Sequence, residues 1–412
     1  MLLHWIWFAE RPRVKAQTRR KLLEHFRTAE AVYEAGDEEL GAAGTLTEAE
    51  LESLGDKSTE GAAQILADCE KEGLRVLTWA DRDYPDRLRN IFDPPAVLYY
   101  KGELPDFDAV PAIGIVGTRR ASVYGLSAAE KMGYQIAKGG GLVISGMAAG
   151  IDAAATEGAL RAGKTAVGVL GCGADVIYPR SNKKLFADME RYGCLISEFA
   201  PGTPPNKWNF PRRNRIVSGL SCGVVVVEAP EKSGALITAG TALDQGRDVF
   251  VIPGNVDVES FVGSNRLLRQ GAVAVGSGWD VLSEYEALFP GRIVRDENAA
   301  EYAAHGRSAA PSVRTGRGKT VHKKAVDKSK TTLYIDESKQ EAPEPEAPKR
   351  PALTEEEQKV AGCVTAEPGL VDDVIARCGL PAGRVLMALT MLEIKKVIRR
   401  HPGKRVSLAE HE

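Results

Sequence analysis

The stretch AIGIVGTRRAS, residues 112–122, indicates the fold, because a run of apolar residues leads directly into a loop of glycine, hydroxyl and basic residues. The same unit recurs in GLVISGMAAGID, residues 141–152, and in TAVGVLGCG, residues 165–173. Helix-like segments separate these runs, so the pattern predicts βαβ units and a parallel sheet with right-handed crossovers. Loops that follow parallel strands meet at one edge, and this edge would carry backbone N–H groups, hydroxyls and arginines that suit a chain of phosphates.

The core continues beyond these three units in the same style. Four consecutive valines, residues 224–227, are typical of a strand buried on both faces. Residues 127–138 and 152–162 have the periodicity of crossover helices. The additional strands that the sequence predicts are residues 195–197, 223–227, 249–252 and, at an edge, 273–275.

The segments on either side of the core differ from it in composition. Residues 1–80 show the spacing of short helices and predict a helical domain, followed by the α/β core at residues 81–290. Residues 291–350 lose this periodicity and predict a disordered linker. Its segment 314–330 holds seven Lys or Arg residues and a single acid, which fits either a solvated tether or an accessory nucleic-acid contact. Residues 351–412 predict a winged-helix domain, since two helical segments precede a basic hairpin.

The overall composition favours a soluble cytoplasmic protein. The formal net charge is −2, so a nucleic-acid binder of this composition must concentrate its positive charge locally. The six cysteines form no C-x-x-C pair, which indicates reduced thiols and no metal site. The apolar N-terminus lacks the basic region of a signal peptide, and no run approaches the roughly 20 apolar residues of a membrane span.

Basic and aromatic residues of the core loops are the candidate binding groups. Arg119 follows the first strand, but the spacing is not G-x-G-x-x-G and the second strand ends in Ser145 rather than an acid, so a dinucleotide site is disfavoured. Lys183 and Phe186 could form a pocket for a single strand, the cation on phosphate and the ring on a base, or Phe186 could belong to the core. Residues 211–215 hold three arginines, of which at least one is expected to face an anion, with Glu198 and Glu228 as partners for the others.

Groups that would support catalysis are missing from this region. No histidine occurs between Asp81 and Pro290, and the sequence contains neither a Ser-His-Asp set nor a Walker lysine motif. Asp152 is expected to cap a helix, or alternatively to hold neighbouring loops or a nucleobase edge. The core is therefore expected to bind phosphate without a general base, without catalytic residues and without a cofactor or metal.

An ordered set of motifs over about 200 residues resembles the DNA-processing protein A (DprA, or Smf) family. Its N-terminal part is Tyr84-Pro85, Gly117-Thr118-Arg119, residues 145–152 and residues 178–182. The match continues through Ser197-Glu198, residues 210–215, Glu228, residues 233–239, Pro253-Gly254 and residues 263–265.

The resemblance implies an extended Rossmann fold with an N-terminal helical domain like a sterile alpha motif and a C-terminal winged helix. It also implies a homodimer that binds and protects single-stranded DNA and loads the RecA recombinase in natural transformation, without enzymatic activity. The DNA-binding residues expected on the motif positions and the adjoining loop residues are Arg119, Ser145, Gly146, Lys183, Phe186, Arg212, Arg213, Asn214, Arg215, Ser264 and Asn265.

Two positions differ from the pattern of the family, and two other functions are to be compared with DNA binding. Thr156 stands where the family usually has histidine, and Lys395-Lys396 stands where a glycine is common. Phosphoribohydrolases of the cytokinin-activating type share a related Rossmann variant, but their Pro-Gly-Gly-x-Gly-Thr-x-x-Glu signature does not occur here. An adaptor whose winged helix docks a protein is a third reading, compatible with DNA binding by the core.

Overall fold

The structure is a computed structural model that describes residues 2–295 and, with short gaps, 354–408. The chain divides into two compact units near Arg314. The predicted linker lies outside the described residues from residue 296 onward, and so does its basic segment 314–330.

Six short helices form the N-terminal part, and their local sequence explains where they begin. Thr47 accepts a hydrogen bond from the backbone of Glu50, whose carboxylate in turn accepts one from the backbone of Thr47, so a capping box starts the fifth helix. Trp7, Phe8 and Leu22 are fully buried and join these helices to the main core. The helices are α1 (Leu2–Ala9), α2 (Ala16–Phe26), α3 (Ala29–Glu34), α4 (Asp37–Ala42), α5 (Glu48–Gly55) and α6 (Glu60–Glu72).

A nine-stranded sheet with helices between its strands forms the centre of the chain, which confirms the predicted α/β class. Its strands are β1 (Arg75–Thr78), β2 (Val97–Gly102), β3 (Ala112–Val116), β4 (Leu142–Ser145), β5 (Ala166–Val169), β6 (Cys194–Ser197), β7 (Gly223–Val226), β8 (Asp248–Val251) and β9 (Val273–Ala274). Its helices are α7 (Asp86–Arg89), α8 (Val123–Lys138), α9 (Ile151–Arg161), α10 (Lys183–Tyr192), α11 (Asn209–Leu220), α12 (Gly234–Asp244), α13 (Val262–Arg269) and α14 (Gly278–Leu282).

The order of the strands shows where the sheet changes direction. It runs β1-β2-β6-β5-β4-β3-β7-β8-β9. Strands β3 to β9 are parallel to one another, and β2 pairs antiparallel with both β6 and β1. The chain proceeds outward from β3 to β6 and then returns to the other side of β3 with β7. The switch of direction therefore falls between β3 and β7, where ligands of open α/β sheets usually bind.

Two local expectations differ from the structure. Residues 75–78 fall in the region expected to be helical but form β1, because they pair with β2 and extend the large sheet. The arginine-rich residues 211–215 were expected in a loop ahead of a helix, whereas α11 already begins at Asn209. The arginines therefore project from different sides of a helix, and this decides which of them reach solvent.

The C-terminal unit has the elements of a winged helix. They are α15 (Glu355–Ala361), β10 (Gly369–Leu370), α16 (Val371–Cys378), β11 (Ile398–His401) and β12 (Arg405–Leu408), and the strands form an antiparallel sheet in the order β10-β12-β11. Val360, Val374, Leu389 and Val406 are among the residues of its apolar core. Lys395, noted above as a departure, lies 2.6 Å from the carboxylate of Glu357 and so ties the C-terminal part of the unit to α15. The turn of the predicted hairpin, residues 402–404, lies outside the described residues.

Candidate nucleic-acid interface

The switch point between β3 and β7 is filled by the chain's own carboxylate. The buried Glu228 follows β7 and accepts hydrogen bonds from Ser122 N at 3.0 Å and Ser122 Oγ at 2.8 Å, and Ser122 is the N-cap of α8. The positive end of the α8 dipole is thus neutralised internally. The sequence-based expectation that Glu228 pairs with an arginine of residues 211–215 is therefore wrong. Glu198 and Glu228 do not end neighbouring strands either, since β6 and β7 lie on opposite sides of β3.

The loop after β4 rests on a buried arginine. Arg213 is 5% exposed, and its guanidinium donates hydrogen bonds to the carbonyls of Gly146 and Val169. A Cβ atom at Gly146 would lie 2.5 Å from both Nη atoms of Arg213, so only glycine allows this approach. Arg213 and Gly146, both predicted to contact DNA, are brought together, and the Arg213 side chain shapes the loop from beneath.

Asp152 belongs to the same buried group. The N-cap of α9 is Gly150, so the expected capping role of Asp152 is wrong. Its carboxylate accepts a hydrogen bond from Ala148 N at 3.4 Å and faces Arg213, which agrees with the alternative that it holds neighbouring loops. Burial raises the pKa of Asp152, and the positive charge of Arg213 opposes this shift.

A cation and an aromatic ring lie at the end of β3. The Arg119 guanidinium carbon is 5.0 Å from the ring centroid of Phe210 on α11, and Arg119 is exposed. The Tyr178 ring lies 5.5 Å from the Phe210 ring, so the loop after β5 joins the group. Trp208 is 74% exposed, and Lys207 Nζ lies 4.7 Å from its ring centroid. Arg119, Tyr178, Lys207, Trp208 and Phe210 are called the aromatic cluster below.

Phe186 does not belong to this surface. Its ring is 1% exposed and packs in the main core with Leu185 and Met189, because these three residues form the buried face of α10. The expectation that Phe186 stacks on a base is therefore wrong, and the alternative that it is a core residue is correct. Lys183, in contrast, is exposed at the first position of α10, where it follows Asn182. The amide of Asn182 donates to Met147 O at 3.0 Å and connects this segment to the loop after β4.

The three arginines of α11 have different surroundings. Arg215 lies 2.5 Å from Glu198 and 3.0 Å from Asp93, with a side chain only 13% exposed, so the predicted pairing with Glu198 is confirmed. The Arg212 side chain is 58% exposed, and its distance to the Glu198 carboxylate, 3.6 Å, is longer than that of Arg215. Asn214 accepts a hydrogen bond from Arg213 Nε at 3.1 Å. Arg212 is thus the arginine of this group that offers its guanidinium to solvent.

The remaining predicted residues hold loops in place. Ser145 and Ser264 are fully buried, and their hydroxyls donate to Ile115 O at 2.7 Å and Phe261 O at 3.1 Å. Their expected direct contact with DNA is therefore wrong for the side chains in this structure. Asn265 is partly buried and bonds Gly254 in both directions, at 3.1 and 3.3 Å, which shapes the loop after β8.

Sequence reasoning missed Trp208 and gave Phe210 no binding role. A signal was present, since two aromatic residues stand beside a lysine and two arginines within residues 207–213. No group of three His, Cys, Asp or Glu side chains with the geometry of a metal site occurs among the described residues. The helices of the described part of the chain include none that is long and apolar enough to cross a membrane.

The fold and the edge define a class: an α/β protein of the extended Rossmann type, with cations and aromatic rings at the carboxyl ends of its parallel strands, whose chain also contains a winged-helix unit. Residues 75–286 match the family described as DNA recombination-mediator protein A, and residues 343–404 match the DprA winged helix domain. The chain belongs to this DNA recombination-mediator family, whose role is DNA processing.

Individual relatives agree with this membership. The chain is 33% identical to Protein Smf of Synechocystis over 98% of its own length and 97% of the relative's. It is 41% identical to DNA processing protein DprA of Bacillus subtilis over 54% of its own length and 74% of the relative's. The X-ray structure of DNA processing protein A from Streptococcus pneumoniae superposes with a TM-score of 0.61 at 33% identity, covering 69% of this chain and 98% of that one.

Proposed function

We propose that this protein binds single-stranded DNA along the carboxyl edge of its sheet, protects the strand and loads the RecA recombinase onto it during natural transformation. It acts in the cytoplasm as a homodimer and without catalysis of its own. The observation that carries the proposal is the contact of the exposed Arg119 with the Phe210 ring, two residues after the highly exposed Trp208 in the chain. RecA loading and the homodimer rest on the family resemblance.

Exposed cations at the edge supply the phosphate contacts. Arg119, Lys183 and Arg212 come from three different segments, after β3, at the start of α10 and in α11, and all three are exposed. Guanidinium groups match the geometry of phosphate oxygens, and binding would release counterions from the strand. These contacts are independent of base sequence, as a protein that handles incoming DNA of any sequence requires.

Aromatic rings supply the preference for a single strand. Trp208 and Phe210 offer faces on which unpaired bases stack, and every base has such a face. In duplex DNA the base faces are covered by neighbouring pairs, so the same surface gains little from a duplex. The buried residues Arg213, Gly146 and Asn265 hold the loops that present these groups, rather than touching the strand with their side chains.

The proposal is tested by Arg119→Glu. Fluorescence anisotropy with a labelled oligo-dT at two salt concentrations should show much weaker binding and a salt slope lower by about one. Arg191→Glu is the matched control: Arg191 is also exposed and contacts a ring, but it lies in the last turn of α10, at the opposite edge of the sheet. Equal affinities for Arg119→Glu and the unchanged chain would overturn the assignment.

Four further measurements test the protection of the strand, the loading of RecA, the homodimer and the lack of catalysis. The full chain should shield a single strand from nuclease, should accelerate RecA filament formation on DNA coated with single-strand-binding protein, and should have the mass of a dimer in light scattering. Incubation with nucleoside monophosphates should release no free base. Release of base would favour the phosphoribohydrolase alternative and would contradict a function without catalysis.

A further inference from the structure

A crevice separates the N-terminal helices from the sheet. Its volume is about 560 Å³. One wall consists of residues 9–19, from the end of α1 into α2, and the other of residues 93–97, residues 198–203 and the first turns of α11. Both walls belong to the same compact unit of the chain. Of the three cations proposed above to contact DNA, Arg212 also lines this crevice, whereas Arg119 and Lys183 do not.

Charged side chains of both signs line the crevice. Arg215 is held between Glu198 and Asp93 at 2.5 and 3.0 Å, which fixes one side of its guanidinium. Arg19 donates to Arg11 O through one Nη atom, and Arg212 approaches Glu198 only to 3.6 Å. The charged side chains of the walls are Glu10, Arg11, Arg13, Arg19, Asp93, Glu198, Arg212 and Arg215.

Several buried atoms of these side chains lack a hydrogen-bond partner. Within the described residues, Arg19 Nε, Arg215 Nη1 and Glu198 Oε1 are all shielded from water and unpartnered. Burial also lowers the pKa of Arg19, with the nearby positive charge of Arg212 acting in the same direction. Buried polar groups are nearly always hydrogen-bonded in folded proteins. Two unmet donors and one unmet acceptor thus belong to residues that line the same crevice.

We propose that the crevice is a binding site for a nucleoside phosphate, either a free nucleotide or the phosphorylated end of a DNA strand. Phosphate oxygens would accept hydrogen bonds from Nε of Arg19 and Nη1 of Arg215, and an amino group of the base or a sugar hydroxyl would satisfy Oε1 of Glu198. The volume falls in the range of about 300–1,000 Å³ that is typical of small-ligand sites. For a strand end the site rests on the proposed DNA binding, whereas a free nucleotide does not require it.

The ligand class is tested by isothermal titration calorimetry on the full chain. Deoxyadenosine monophosphate should bind, and deoxyadenosine and inorganic phosphate should each bind much more weakly, since each lacks half of the required groups. Comparing short oligo-dT with a 5′-phosphate or a 5′-hydroxyl distinguishes the sources: a preference for the phosphorylated strand identifies the strand end, and equal affinities identify the free nucleotide. Absence of binding by both the monophosphate and the phosphorylated end would overturn the proposal, and so would equal binding of deoxyadenosine.

Substitutions at two adjacent arginines of α2 test whether the ligand binds in the crevice. Arg19→Met should weaken binding of the monophosphate about tenfold, as expected for one charge-assisted hydrogen bond. Arg20→Met is the control, because Arg20 pairs with Glu24 at 2.7 Å and does not line the crevice. Arg19→Lys keeps the charge and guards against misfolding of the first variant, and it should bind better than Arg19→Met. Equal binding by Arg19→Met, Arg19→Lys and Arg20→Met would overturn the placement.

Arg119→Glu distinguishes failure of the proposed nucleotide site from failure of the proposed DNA binding. Arg119 does not line the crevice. Arg119→Glu should therefore weaken binding of long oligo-dT and leave the affinity for the monophosphate unchanged. Loss of monophosphate binding in Arg119→Glu would assign the nucleotide to the aromatic cluster and overturn the crevice site.

Discussion

The guanidinium of Arg213 lies directly against Gly146, in the space that a side chain at position 146 would occupy. A Cβ atom there would be 2.5 Å from both Nη atoms, and the same guanidinium donates to the carbonyls of Gly146 and Val169. A helix that follows β6 in sequence thus supports loops that follow β4 and β5. The loops after β4 and β5 are therefore held together by a contact between distant parts of the chain.

Gly146→Ala should destabilise the protein by about 1–3 kcal/mol, because the added methyl group forces the guanidinium of Arg213 out of its place. Urea unfolding measures the change. Gly240→Ala is the matched control, since no atom lies within 4 Å of a Cβ at this exposed position of α12. It should be neutral or stabilising by up to about 1 kcal/mol. Equal stability of Gly146→Ala and the unchanged chain would show that the contact is not tight.

Arg213→Met should destabilise the protein by about 3–5 kcal/mol, because it leaves two carbonyls and the Asp152 carboxylate buried without their partner. Arg212→Met, with a side chain that is 58% exposed before substitution, should change the free energy of unfolding by less than about 1 kcal/mol. Both are measured by denaturant titration. A similar effect of the two substitutions would contradict a structural role for Arg213.

Trp208→Ala should weaken binding of oligo-dT by about 1–3 kcal/mol, the usual contribution of one stacked base. Trp208→Phe keeps a ring and should retain most of the affinity. Tyr192→Ala removes another exposed ring, 56% exposed, at the opposite edge of the sheet and should have no effect on binding. Anisotropy titrations at one fixed salt concentration make the comparison. If Trp208→Ala binds as well as Tyr192→Ala, the ring does not stack on DNA.

The N-terminal helices should lose stability in acid through Glu50. Burial alone would raise the pKa of Glu50, but hydrogen bonds from Thr18, Lys15 and Thr47 outweigh it and lower the pKa from 4.5 to about 2. Because the folded-state pKa lies below the unfolded one, the stabilisation is complete above pH 4.5 and is lost as the pH falls toward 2.

Glu50→Gln should remove this part of the pH dependence, which is worth on the order of 3 kcal/mol for a shift of that size. Glu52→Gln, on the same helix but with a side chain that is 73% exposed, should retain it. Thermal melting between pH 2 and 6 gives the comparison. Identical pH profiles for the two variants would refute the assignment to Glu50.

Local patterns accounted for much of the fold and for part of the site. The apolar runs before glycine loops predicted β3 to β8 to within about two residues, since burial on both faces leaves a continuous apolar signal. Arg119 and Lys183 were correctly expected to be exposed cations, because they follow strand ends or begin a helix. The strand order was not predictable in this way: β1 and β2 join β6 through pairings between distant segments, which no local pattern records.

The sequence by itself determined the parallel sheet, the winged-helix unit and the basic, glycine-rich character of one edge. Each of these follows from residues close together in the chain. Only the tertiary structure decided that Phe186 is buried while Phe210 meets Arg119, and that Arg213 supports a loop while Arg212 faces solvent. The physical reason is that the role of an aromatic or basic side chain depends on which face of its helix packs against the sheet, and segments far apart in the sequence determine that packing.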